Sequence, residues 1–149
     1  TGINNKVILI SKFRTMIVNA ERDGPQWSRK NDPRITKFGK FLRKYRLDEL
    51  PQLISVIKGE MSLIGPRPER PEMENLLKEK IPHYNIRSFV KPGISGWAQV
   101  NFLYGANIED SINKLSYDIY YVKNFSLALD IIILFKTLKI IFQAREFQH

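Results

Sequence analysis

Along residues 7–18, β-branched and aromatic residues run with a polar break at Ser11-Lys12, a pattern that predicts one or two short strands. A polar stretch over 19–33 follows, marked by Asp23-Gly24-Pro25 and Asn31-Asp32-Pro33. It reads as a loop that ends with Asp32 as the N-cap and Pro33 as the first residue of a helix. Ile35, Phe38, Phe41, Leu42 and Tyr45 then recur at helical spacing, with Lys37, Lys40, Arg43, Lys44 and Arg46 on the rest of the surface. In the next helix Asp48 stands as a cap, Leu50, Leu53, Ile54 and Ile57 form the apolar face, and Lys58-Gly59 is the stop. Residues 59–72 read as irregular, because Gly65-Pro66-Arg67-Pro68 fits neither a helix interior nor a central strand. A polar helix over 71–80 and a short one over 82–90 precede a glycine-punctuated loop, 91–97.

Ile108, Ile112, Leu115, Ile119 and Val122 alternate spacings of four and three, which predicts an amphipathic helix closed by Asn124. The last element runs from Leu127 to Phe142. As a helix it reaches only about 24 Å at 1.5 Å per residue, short of the roughly 30 Å hydrocarbon core. Lys136 and Lys139 interrupt it on one face. It therefore either lies in a membrane interface, with its lysines near anionic headgroups, or packs as a core helix. The expected fold is mixed α/β: a small N-terminal β element, several short helices, and amphipathic helices towards the C-terminus. The chain reads as one domain over 1–149, and Thr1 as the start of a piece cut from a longer protein.

The 149 residues suffice for a core without staples, and the absence of cysteine excludes disulfides and thiolate-held metals. With only His83 and His149, a His-rich metal site or a Ser–His triad lacks material, and His83 reads as structural or surface. Lys and Arg outnumber Asp and Glu 24 to 15, a net charge of +9. That excess points to an anionic partner: nucleic acid, an anionic membrane surface, or phosphates.

Three segments have the residue types for phosphate chemistry. In Arg46-Leu47-Asp48-Glu49-Leu50-Pro51, adjacent carboxylates on a helix point about 100° apart. They would serve different atoms of one site, one as nucleophile and one as metal ligand or base. An aspartate is ionised well below neutrality and needs no separate base to attack phosphorus. The alternative is a helix cap followed by a solvated first-turn acid. Prolines on both sides of Arg67 hold its backbone extended, so its guanidinium suits bidentate phosphate recognition; a rigid connector is the alternative. Lys12 and Arg14 would share one side of a strand end, as ligand contacts or as edge protection. Asp118 either orients an Arg or Lys or is a surface acid.

In order along the chain, Lys12–Met16 (KFRTM), Asp32–Thr36 (DPRIT), Phe41–Arg46 with Leu47–Leu53 (LDELPQL), Lys58–Glu69 (KGEMSLIGPRPE), Lys91–Val100 (KPGISGWAQV) and Tyr117–Asn124 (YDIYYVKN) closely resemble the bacterial sugar transferase family. These are monotopic polyprenyl-phosphate phosphoglycosyl transferases of exopolysaccharide and O-antigen synthesis. The resemblance covers residues 6–142. It implies transfer of a phospho-sugar from a UDP-sugar to polyprenyl, usually undecaprenyl, phosphate, with release of UMP, at the cytoplasmic face of the bacterial inner membrane. The implied reaction is ping-pong and uses Mg²⁺. By resemblance Asp48 is the nucleophile and Glu49 a magnesium ligand or a helper in the second transfer, the metal lying at Glu49 and Asp48. Lys12, Arg43, Arg67 and Asp118 are the implied substrate-binding residues, and Arg14 is counted with them from its place beside Lys12 at the strand end.

The resemblance also favours the interfacial reading of the tail. Two departures stand out. The hydrophobic re-entrant helix that family members carry ahead of the Lys12 segment is not in this sequence, and Lys91 stands where many relatives have Arg before Pro-Gly. Homodimerisation is left open. A nucleic-acid-binding module is the main rival. Against it, the aromatics do not read as a stacking platform among the cations, and no known binding motif appears; no nucleic-acid partner is expected. A membrane-surface scaffold without catalysis is the third reading, and the intact Asp48-Glu49 argues against it.

Overall fold

The computed structural model describes residues 1–22, 24, 26, 28, 32–102 and 108–142. Asp23, Pro25 and Asn31 of the two predicted turns lie outside them, as does His149. The architecture is mixed, with helices dominant and one small parallel sheet. The helices are α1 (Lys37–Lys44), α2 (Leu53–Ile57), α3 (Pro71–Lys80), α4 (Trp97–Asn101), α5 (Ile108–Asn124) and α6 (Leu127–Phe142). Tighter 3-10 turns span Ile3–Asn5, Leu47–Gln52 and Tyr84–Phe89. Strands β1 (Ser62–Ile64) and β2 (Gly93–Ser95) pair in parallel, Ser62 with Gly93 and Ile64 with Ser95.

The β element is therefore central, within two stretches whose proline and glycine content reads as loop. The residues themselves explain the pairing. Gly65 and Gly93 let two backbones meet: a Cβ on Gly93 would lie 2.1 Å from the Gly65 nitrogen. Residues 7–18, read as strands, form no ladder. Their neighbours are the start of a helix and a 3-10 turn, so the segment makes isolated bonds instead. Phe13 N–H donates to the Asp48 carbonyl (3.0 Å), Ile17 N–H to Arg34 O (2.9 Å), and Met16 forms a single antiparallel bridge with Ile35.

Helix α1 starts four residues later than Asp32-Pro33 implies. Thr36 is its N-cap, accepting from Gly39 N–H at 2.8 Å. Asp32 instead turns its buried carboxylate onto Arg34, at 2.6 Å from a terminal guanidinium nitrogen. Nor does the aromatic row of α1 face a core: Phe38 and Phe41 are exposed, and only Gly39 and Leu42 are buried. Leu50, Leu53, Ile54 and Ile57 are likewise exposed. The predicted stop after α2 holds, with Lys58 at the C-cap and Gly59 at φ +76°.

The core lies among the later elements. Leu77, Ile81, Tyr84 and Leu115 join α3, the Tyr84–Phe89 turn and α5, while Ile64, Tyr121 and Ile133 join β1, α5 and α6. Both predicted long helices appear, α6 with the predicted bounds. Helix α6 is packed along one face and leaves apolar side chains exposed on the rest of its surface. Ile133 and Ile140 are buried, and Thr137 bonds Ser95 at 2.6 Å, whereas Ile131, Ile132, Leu134, Phe135, Leu138 and Phe142 are exposed. Lys136 belongs to the packed face, contrary to the pairing with Lys139: its ammonium bonds Asn101 at 2.5 Å and lies 4.6 Å from the Trp97 ring centre. Among the described residues no helix is long and apolar enough to cross a membrane.

Candidate active site

The site is built where the irregular N-terminal segment, the Leu47–Gln52 turn and the Gly65–Pro68 segment meet. Arg46, at φ +54°, breaks α1 from the turn that carries the two carboxylates. Such a left-handed non-glycine residue is uncommon and reverses the chain sharply. Asp48 is not a helix cap; it sits inside a 3-10 turn, where successive side chains diverge by about 120°. Pro51 stiffens that turn.

Divergence gives the carboxylates different surroundings. Glu49 is buried and its Oε1 takes two cations, Arg67 at 2.6 Å and Lys12 at 3.3 Å. Burial pushes the Glu49 carboxyl up, but Arg67, then Lys12, with Arg46 behind them, hold it well below the usual carboxylate range. Its other oxygen, Oε2, is buried with no hydrogen-bond partner among the described residues, a state that native structures seldom leave unexplained. Asp48 is half-buried and makes no ion pair among the described residues. Burial first, then the Glu49 charge, raise its carboxyl above the ordinary value, while Lys12 and Arg43 pull the other way. Lys12 is pushed down by burial and by the Arg67 charge, against the pull of Glu49.

Arg43 approaches from α1. Its Nε donates to Thr15 Oγ1 at 2.8 Å and a terminal nitrogen to Ser28 Oγ at 3.1 Å. Gly39 makes this approach feasible, since a Cβ there would lie 2.0 Å from the Thr15 carbonyl oxygen. The structure thus brings together Lys12, Arg43, Asp48, Glu49 and Arg67. Arg14 is not joined to the carboxylates. It lies with Arg43 and Arg70 on an open cleft of about 510 Å³ walled by residues 14–22. With no strand at 12–14, the shared face expected for Lys12 and Arg14 is absent.

Asp118 is on the packed side of α5, buried, and pairs with Arg87 at 2.9 Å. It fits the orienting reading: Arg87 also bonds the Tyr84 hydroxyl at 2.9 Å and the Arg67 carbonyl at 2.5 Å. Burial works against the Arg87 charge, but Asp118 more than offsets it and holds the guanidinium protonated. Arg87 is the site residue that the sequence reading passed over, because one arginine in a short polar helix carries no local signal. His83 is exposed, as a surface residue should be.

Among the described residues no three His, Cys, Asp or Glu side chains cluster to hold a metal. A divalent ion here would take oxygens from Asp48 and the unpartnered Glu49 Oε2, with the remaining ligands coming from substrate phosphates and water, a mode common for magnesium. One argument against a nucleic-acid partner falls. Phe38, Phe41 and Tyr45 do form a ring row, with centroids 6.2 and 5.1 Å apart, and Lys44 lies over Tyr45.

Comparison with known proteins decides the family, because the model for bacterial sugar transferases matches residues 1–144. The chain belongs to the bacterial sugar transferase family. It is 49% identical over 140 residues to a UDP-N-acetylgalactosamine-undecaprenyl-phosphate N-acetylgalactosaminephosphotransferase of Aeromonas hydrophila, covering 94% of the chain and 33% of the relative. It is 40% identical over 144 residues to an undecaprenyl-phosphate glucose phosphotransferase of Komagataeibacter xylinus, covering 93% and 27%. A UDP-glucose:undecaprenyl-phosphate glucose-1-phosphate transferase of Escherichia coli K12 is 41% identical over 138 residues, covering 91% and 30%. The chain spans about a third of the length of these curated relatives.

Proposed function

We propose that this chain carries the catalytic centre of a phosphoglycosyl transferase that moves a sugar phosphate from a UDP-sugar to polyprenyl phosphate, as its relatives' names imply for undecaprenyl phosphate. The observation that carries the reading is the division within the dyad: Glu49 held by two cations, Asp48 beside it half-buried and without an ion pair among the described residues. An Asp48 oxygen attacks the sugar-bearing phosphorus of the donor. The bond from that phosphorus to the bridging oxygen breaks, and UMP leaves with the electron pair. A phosphate oxygen of the acceptor then attacks the same phosphorus, and the bond to Asp48 breaks to regenerate the carboxylate. The net product is a lipid-linked diphosphosugar.

Lys12, Arg43 and Arg67 surround this point with positive charge, which favours the anionic transition state of phosphoryl transfer. Asp48 and Glu49 Oε2 would hold Mg²⁺; when bound, the ion supplies charge neutralisation to the diphosphate. Glu49 Oε1, engaged by Arg67 and Lys12, keeps Glu49 in place beside it. The exposed apolar face of α6, together with exposed Phe38, Phe41, Ile54 and Ile57, supports seating on an anionic membrane surface. On this reading the enzyme works at the cytoplasmic face of the bacterial inner membrane, in assembly of exopolysaccharide or O-antigen glycans.

Intact-mass measurement after incubation with Mg²⁺ and UDP-N-acetylgalactosamine or UDP-glucose tests the first half-reaction. One donor should leave a phosphosugar adduct that is absent in Asp48→Asn. An adduct that persists in Asp48→Asn overturns the assignment of the nucleophile.

A further inference from the structure

Apart from Arg43, the cleft beside the dyad has a lining that the transfer step does not use. Among its described lining residues are four guanidiniums, Arg14, Arg22, Arg43 and Arg70, and one carboxylate, Glu21. Residues 16–18 give it an apolar wall of Met, Ile and Val. Its volume, about 510 Å³, falls within the range of pockets for compact ligands; an extended polyprenyl chain is far longer. Arg43 links this lining to the dyad. It bonds Thr15, which lines the cleft, and its charge acts on Asp48. Glu21 and Arg70, both in the lining, are joined by two parallel bonds, at 2.7 and 3.0 Å.

Both partners of that pair are exposed, with side-chain accessibilities of 51% for Arg70 and 37% for Glu21. Exposed pairs contribute little, so they open readily to a better anion. A phosphate is such an anion for Arg, since it accepts two parallel bonds and carries more charge. Arg14 and Arg22 are also exposed and have no side-chain partner among the described residues.

We propose that this cleft seats the nucleoside-phosphate half of the donor, and that Glu21 acts as a stand-in anion that Arg70 exchanges for the phosphate. The proposal rests on the transfer reading only for the identity of the leaving group. The apolar wall receives the base and ribose edge, Arg22 and Arg70 hold the phosphate, and Arg43 marks where the diphosphate passes to Asp48. Glu21 then weakens binding in the empty cleft and helps the nucleotide leave by reclaiming Arg70. The acceptor's phosphate has the same group chemistry but brings a long chain that the cleft does not fit.

Equilibrium dialysis of labelled UMP against the intact protein in detergent tests this without requiring turnover. Arg22→Ala and Arg70→Ala should each weaken UMP binding about five- to tenfold, and Glu21→Gln should tighten it about two- to fivefold. The gain in Glu21→Gln is a result that misfolding would not mimic. Farnesyl phosphate, measured in the same way, should be insensitive to all three changes. UMP affinity unchanged in Arg22→Ala and Arg70→Ala overturns the proposal, as does a larger loss for farnesyl phosphate than for UMP. The two readings fail separately. An Asp48 adduct with unaltered UMP binding refutes the cleft alone, whereas the predicted UMP shifts without any adduct uphold the cleft and refute the transfer.

Discussion

Asp118→Ala removes the acceptor of a guanidinium that has almost no access to water: the Arg87 and Asp118 side chains are 5% and 2% exposed. Two Arg87 nitrogens lose partners, at 3.1 and 2.9 Å. A buried pair broken on one side costs about 3–5 kcal/mol. Glu69 and Glu74 also favour the Arg87 charge, which sets the expectation at the low end, about 3 kcal/mol, a large share of the 5–15 kcal/mol that holds a typical domain. Replacing both partners with apolar residues should recover most of this loss, because no stranded charge remains. Urea unfolding of Asp118→Ala, Arg87→Met and the double variant measures it. The double variant carries a second expectation. Arg87 also holds the Arg67 carbonyl, and Arg67 holds Glu49, so stability should return while adduct formation stays slow. A cost below about 1 kcal/mol for Asp118→Ala refutes the buried-pair account; a double variant with full adduct formation refutes the positioning role.

Glu69 predicts an acid-sensitive term. Burial pushes its carboxyl up, but Lys114 at 2.6 Å, with Arg87 behind it, brings it down to about 2. The unfolded chain binds a proton that the folded chain refuses, so this stability is complete above about pH 4.5 and is lost as pH falls towards 2. Glu69→Gln should remove on the order of 2–3 kcal/mol at neutral pH and flatten the urea midpoint between pH 5 and 2.5; an equally steep acid limb in the variant rejects the assignment. Gly39→Ala should destabilise by about 1–3 kcal/mol through overpacking, since its Cβ would meet the Thr15 carbonyl oxygen at 2.0 Å. Helix propensity alone predicts the opposite sign, so thermal unfolding decides between the two.

Legibility in the sequence followed the range of the interactions. Helices α3, α5 and α6 announce themselves by periodicity, caps and prolines, and their bounds come within a residue or two of those read from the pattern. The β pair does not, because three-residue strands need only backbone contact and two glycines, and neither leaves an alternating pattern. The N-terminal segment shows the converse error. Its apolar run has strand composition but no strand beside it, and Val7 and Leu9 remain exposed. Apolar residues in α1 and α2 misled for a related reason: helical spacing shows that a face exists, not which medium it meets. At the site, the ordered motifs located Asp48, Glu49, Lys12, Arg43 and Arg67. Sequence could not separate Arg14 from Lys12, which depends on backbone direction, or reveal Arg87, which acts through a carbonyl.

The same reasoning explains why two adjacent acids do not behave as a symmetric pair. Side by side, their charges disfavour each other, and Glu49 does raise Asp48. The 3-10 turn resolves this by pointing the two side chains apart, so that cations can be allotted unequally. Arg67 and Lys12 both converge on one Glu49 oxygen, which keeps that carboxylate ionised despite burial and fixes its orientation. Asp48 remains within reach of positive charge but, among the described residues, is tied to none of it by an ion pair. A carboxylate clamped by two cations is a poor nucleophile, and an unclamped one in water is poorly oriented. Half-burial on a turn stiffened by Pro51 and bounded by the left-handed Arg46 gives Asp48 orientation without the clamp. The asymmetry therefore originates in the backbone: continued as regular α-helix through residues 46–52, the segment would lose both the left-handed break at Arg46 and the wider side-chain divergence of the 3-10 turn that gives Asp48 and Glu49 different surroundings.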